Sequence, residues 1–124
     1  MKLFTISEAN ELLPTIIPKL KEIKQLYAAI NDMRDSSRAA ASASEFGGGM
    51  EGGAGYVKAL YRVGKLTTDL TECGIELKDY TRGLIDFPSM RSQRVVYLCW
   101  QIGDADEIEW WHETDAGFAG RQRI

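Results

Sequence analysis

Histidine occurs once in this 124-residue chain and cysteine twice, and each shortage removes a class of function. Cys73 and Cys99 form no C-x-x-C pair and have no companion histidine at finger spacing, so a zinc finger and a disulfide framework are both excluded. They read as two buried, reduced thiols. An excess of positive charge is also missing: 15 Lys and Arg stand against 18 Asp and Glu, a formal net charge of -3. General nucleic-acid affinity, which needs a basic face to neutralise phosphates, is not expected. Arg82, Arg91, Arg94, Arg121 and Arg123 nevertheless gather in the C-terminal half. No apolar run approaches the roughly 18 residues that would suggest a membrane span. The opening MKLFTISEAN lacks the apolar core and cleavage site of a secretion signal, so a cytoplasmic location is expected. Phosphate-cradling patterns such as G-x-x-x-x-G-K-[ST] and G-x-G-x-x-G after a strand are absent, as is the G-x-S-x-G nucleophile elbow.

What remains is an ordinary globular composition, 44% hydrophobic and 27% charged, expected to form a single domain over 1–124. Thr5 and Glu8 have the spacing of a capping box and mark a helix start. Beyond them Leu13, Ile16, Leu20, Ile23, Tyr27 and Ile30 alternate steps of three and four, one apolar stripe of a helix. Pro14 and Pro18 each lack an N–H, which predicts a bend or restart between Leu13 and Ile17. From 36 to 55 the chain turns to Ala, Ser and Gly, a composition that reads as a flexible loop. A second helix fits Tyr56 to Cys73, with Val57, Leu60, Gly64, Leu66, Thr67 and Leu70 near one side. Gly64 is expected to admit the first helix closely, and Gly74 to stop the second. An antiparallel helical hairpin over 5–73 follows.

After Gly74 the apolar period changes from 3.6 to 2. Ile75 to Lys78 alternates, 79–83 supplies a turn, and Leu84 to Phe87 reads as a short strand ended by Pro88. Arg94 to Trp100 is the strongest strand, continuous enough to be covered on both faces. Glu107 to His112 is assigned as a fourth strand, with Ile108, Trp110 and His112 on one face and Glu109 and Trp111 on the other. Short connections favour a β-meander over 74–124. The expected fold is α+β: a two-helix antiparallel hairpin packed on a small three- to four-stranded antiparallel sheet.

Chemistry-bearing residues crowd into the C-terminal segment. Trp110 and Trp111 are adjacent, His112 follows, and Glu113 and Asp115 come directly after. An imidazole beside an indole needs partners for its ring nitrogens. Asp86, His112, Glu113 and Asp115 are therefore the candidate ligands of a divalent metal, with Zn, Mn or Mg suited to one nitrogen and several oxygens. Asp86 itself either caps a turn or faces the His-Trp cluster. Acid–base use of His112 lacks an evident nucleophile, and no catalytic residue is assigned. Trp110 and Arg121 are candidates for holding a small anionic ligand, the guanidinium being suited to carboxylate or phosphate. The competing assignments are structural: His112 locks the tail onto the sheet, and Arg121 pairs with Asp115 or Glu113. The glycines of Gly117-Phe118-Ala119-Gly120-Arg121 provide for close backbone approach.

Five segments, FTISEANELLP (4–14), GIELKDY (74–80), GLIDFPSM (83–90), VYLCW (96–100) and EIEWWHETDAGFAGR (107–121), together resemble a small prokaryotic family known as domain of unknown function 2203. The resemblance covers nearly the whole chain outside the Ala/Ser/Gly loop. It implies a compact cytosolic bacterial protein and carries over no activity. Two functional expectations stand at this point. One is a domain binding a divalent metal or a small anion near its C-terminus. The other is a homo-oligomeric module, a dimer whose helices form a bundle between protomers.

Overall fold

The computed structural model describes residues 1–43 and 53–124. Two helices, α1 (Ile6–Ala43) and α2 (Gly53–Glu72), precede five strands: β1 (Glu76–Asp79), β2 (Leu84–Arg91), β3 (Arg94–Gln101), β4 (Trp110–Glu113) and β5 (Gln122–Arg123). The strands form one antiparallel sheet in chain order, β1-β2-β3-β4-β5. The α+β architecture is as expected, with the two-residue β5 extending the meander to five strands. Of the segment 36–55 expected to be a flexible loop, 44–52 lies outside the described residues; the flanking 36–43 and 53–55 are helical backbone instead, the ends of α1 and α2. Among the described residues, no helix is long and apolar enough to cross a membrane.

The capping box closes as its spacing suggests. Glu8 N–H donates to Thr5 Oγ1 at 3.1 Å, and Thr5 N–H donates to Glu8 Oε1 at 2.9 Å. This backbone hydrogen bond is the main reason the Glu8 carboxyl lies below its ordinary value. The bend expected near the prolines does not become a break, since α1 is assigned as one helix through both Pro14 and Pro18. Both prolines are exposed, while Leu13, Ile16, Leu20 and Ile23 on the opposite stripe are buried. Core packing holds the helix together where two ladder hydrogen bonds are lost.

Helix α2 is rotated from the orientation expected from sequence. Its buried stripe is Ala59, Val63, Leu66 and Leu70, whereas Val57 and Leu60 are exposed. Gly64 faces open space, with nothing within 4 Å of where a Cβ would stand, so it is not a close-approach residue.

One sheet face carries Ile85, Phe87, Val96, Leu98, Trp100 and Trp111 into the core against Leu13, Ile16, Leu20, Ile23, Leu66 and Leu70. Strand β2 runs past the expected stop at Pro88 to Arg91. Only Glu76 to Asp79 of β1 pair with it, and only as far as Asp86, so Pro88 needs no N–H for a strand on that side. The N-terminal segment lies there instead. Phe4 N–H donates to the Pro88 carbonyl, and the Ser89 hydroxyl donates to the Phe4 carbonyl. Strand β4 begins at Trp110 rather than Glu107. Asn10 Oδ1 on α1 accepts the Ile108 N–H at 2.7 Å, which draws Ile108 into the helix-facing core. Ile108 therefore does not share a face with Trp110 and His112.

Candidate metal and anion site

Directly paired residues of an antiparallel sheet share a face. The register pairs Asp86 with Cys99, Cys99 with Trp110, and Tyr97 with His112. By alternation these side chains all lie on the face opposite the helical hairpin. Yet Asp86 is 2% exposed, Cys99 0% and His112 3%. The C-terminal tail closes this outer face. After β4 the chain turns through 114–117 into a single 3-10 turn, Phe118–Gly120, before β5 pairs back onto β4. Phe118 lies under the guanidinium of Arg82, at 4.7 Å, in the β1–β2 turn, so the tail reaches across the sheet. Gly120 serves the close approach expected of the tail glycines, because a Cβ there would lie 2.6 Å from Ala116 Cβ.

Within this enclosure His112 makes two kinds of contact. Nδ1 lies 2.7 Å from the Glu113 carbonyl oxygen, which can only accept, so Nδ1 carries hydrogen and donates. Nε2 stands 3.0 Å from each Asp86 carboxylate oxygen. A proton lies between Nε2 and the carboxylate, since two lone-pair-bearing atoms at that distance would repel. Burial pushes the Asp86 carboxyl above its ordinary value, and the His112 charge and hydrogen bond pull it back, as does the Cys99 thiol. The Cys99 thiol is pushed up to about 12, first by burial and then by the Asp86 charge, with the Arg121 cation acting in the opposite sense. Without a metal it is a protonated, unreactive thiol.

Asp86, Cys99 and His112 each present one metal-ligating atom, and these atoms all lie within 4.8 Å of one another. A tetrahedral ion with legs of ~2.0 to 2.3 Å would set its ligand atoms ~3.3 to 3.8 Å apart. Nitrogen and carboxylate are 3.0 Å apart, a little inside that range, and no two ligand atoms of the trio are more than 4.8 Å apart. Replacing the shared proton by a cation requires shifts of well under a side-chain length. The Nδ1–H contact to a backbone carbonyl is also the outer hydrogen bond that fixes the ring of a metal-binding histidine and aims Nε2.

Of the residues singled out from sequence, the fold brings Asp86 and His112 into direct contact and resolves the choice for Asp86 toward the His-Trp cluster. The Glu113 carboxylate is on the other side of β4, where Arg94 holds it and lowers its pKa; only its backbone carbonyl serves His112. Asp115 is exposed in the turn after β4. Trp110 is half-buried beneath two guanidinium groups, Arg121 at 4.5 Å and Arg123 at 5.2 Å. Arg121 pairs with neither Glu113 nor Asp115. Its Nη2 lies 3.2 Å from the Asp104 carboxylate, in a loop far away in sequence, and both side chains are largely buried. Cys99 is the site residue that sequence reading left out. Its signal was the alternation Tyr97/Cys99 against Leu98/Trp100, which becomes informative only once β2 is paired with β3.

The chain matches the family described as "Uncharacterized conserved protein (DUF2203)" over residues 2–124. No curated protein and no solved structure matches it. The family description carries no activity, so the chemistry rests on the site itself. With the match running over essentially its full length, the chain belongs to the DUF2203 family of uncharacterized conserved proteins.

Proposed function

We propose that this protein is a metal-binding domain whose ion is held by Asp86 Oδ, Cys99 Sγ and His112 Nε2. The observation that carries the reading is the convergence of three different ligand atoms within 4.8 Å in a fully enclosed place. A mixed oxygen, sulfur and nitrogen set favours Zn over the hard ions Mg and Mn, which prefer all-oxygen surroundings. Glu113 contributes its carbonyl to the orientation of His112 and is not a ligand, and Asp115 has no part in the set. Three protein donors leave a fourth position on a tetrahedral ion.

Plasma mass spectrometry of the untagged protein, purified under reducing conditions, tests this beside His112→Ala and Cys99→Ser. The expected result is near-stoichiometric zinc in the wild type, lost or strongly reduced in both variants. If the wild type carries no metal and takes none up from micromolar zinc, the reading is wrong, and the Asp86–His112 pair is a structural lock between β2 and β4.

A second reading, self-association through the hairpin, is favoured by the exposed Val57, Leu60 and Tyr61 at helical spacing on α2, 63%, 43% and 74% exposed. Sedimentation equilibrium decides it. A mass of 13.9 kDa at all concentrations would leave the hairpin without a partner copy.

A further inference from the structure

Arg121 is held in a way that its known contacts do not complete. Its side chain is 9% exposed and its guanidinium lies between the Trp110 and Phe118 rings, at 4.5 and 5.0 Å. Asp104 takes Nη2, but the buried Nη1 has no hydrogen-bond partner among the described residues. An orphaned donor on a charged, enclosed group is costly and calls for an acceptor. Trp110, on which Arg121 rests, is the direct cross-strand neighbour of Cys99. Arg121 belongs to the tail that covers the trio, and its cation is close enough to act on the Cys99 thiol, so the guanidinium and the ligand atoms are neighbours on this face.

We infer that a small oxyanion, a carboxylate or phosphate group, binds beneath the C-terminal tail, one oxygen on the metal held by Asp86, Cys99 and His112 and another on Arg121 Nη1. The inference rests on the metal-binding reading above, because the ion supplies the first attachment. Arg121 is suited to the second: its planar fork can serve Asp104 with one nitrogen and an oxyanion with the other. The burial of this guanidinium strengthens the contact and limits the ligand to a small head group. Asp104 positions Arg121 and does not touch the anion.

The test uses the full chain loaded with Co2+, whose visible absorption reports its ligands. Inorganic phosphate and acetate are titrated separately. The expected result is a saturable change in the Co2+ spectrum with at least one of them, the responding anion identifying the head group as tetrahedral or planar. In Arg121→Gln, with both proteins saturated with Co2+, the anion affinity should fall about tenfold or more. Should Arg121→Gln fail to fold, Arg121→Lys, which retains a cation for Asp104 but not the fork, carries the same comparison. A Co2+ spectrum indifferent to both anions, or a response equal in wild type and variant, overturns this inference alone. Failure to form any Co2+ complex overturns the metal-binding reading and takes the anion with it.

Discussion

Asp86 and Cys99 are direct cross-strand partners of β2 and β3, buried on the sheet face that the helices do not cover. A carboxylate in an enclosed place is costly, whereas the protonated thiol beside it is not, and His112 from β4 is the group that neutralises the carboxylate. Their stability and their chemistry are thus tied together.

Removing one side of the buried pair should be worse than removing both. His112→Phe leaves the Asp86 carboxylate without its partner, and a loss of about 3–5 kcal/mol is expected. The double replacement Asp86→Leu with His112→Phe removes both polar groups and should recover much of that loss. Urea unfolding of the four proteins in the cycle measures the coupling. Additive losses would show that the pair does not act as a unit.

Thiol labelling separates the two cysteines. With its pKa pushed up to about 12 and no exposure, Cys99 should resist a soluble alkylating reagent at pH 8 in the metal-free folded protein. Cys73, partly exposed, should label first. Mass spectrometry of the digested protein reads the order. Rapid labelling of Cys99 without unfolding would contradict the enclosure described for it.

Helix α1 tolerates its two prolines at a cost. Pro14→Ala and Pro18→Ala restore an N–H and remove ring crowding on the exposed side of the helix, so each should raise stability, by at most about 3 kcal/mol. The gain is reduced because the unfolded chain becomes more flexible. A fall in melting temperature in either variant would show that the proline ring makes a contact that the helix requires.

The capping box gives α1 a defined acid sensitivity. The Glu8 carboxyl is below its ordinary 4.5 in the folded chain, chiefly through its hydrogen bond from Thr5. The unfolded chain then binds more protons in that range, so stability rises with pH there. The contribution is fully present above about pH 4.5 and is lost as pH falls through the lower folded value. Glu8→Gln should flatten this part of the stability profile, and Thr5→Ala should cost about 1 kcal/mol at neutral pH. An unchanged acid limb in Glu8→Gln would remove Glu8 as its source.

Much of this molecule could be read locally. Thr5 with Glu8, the stripe from Leu13 to Ile30 and the alternation after Gly74 are short-range signals, and each appears where its spacing placed it. The misplacements share a long-range cause. Ile108 leaves its expected strand because Asn10, nearly the whole chain away, takes its N–H. Pro88 stays within β2 because β1 is too short to require a donor there. Arg121 finds Asp104 rather than its sequence neighbours because the tail folds back over the sheet. Cys99 belongs to the site through register alone, and register is a property of paired strands rather than of any one of them.

The covering of the two sheet faces has a kinetic consequence. One face is sealed by a 38-residue and a 20-residue helix; the other is sealed by a short stretch of tail joined to β4 through a two-residue strand. Opening the first means unfolding the core, whereas opening the second breaks only the few contacts of residues 114–124. Solvent therefore has a route to Asp86, Cys99 and His112 that leaves the hairpin intact, and amide protons under the tail should exchange with solvent well before those of the helix-facing strands. The protein is in effect a permanent half and a renewable half, and the Asp86, Cys99 and His112 cluster sits at the seam.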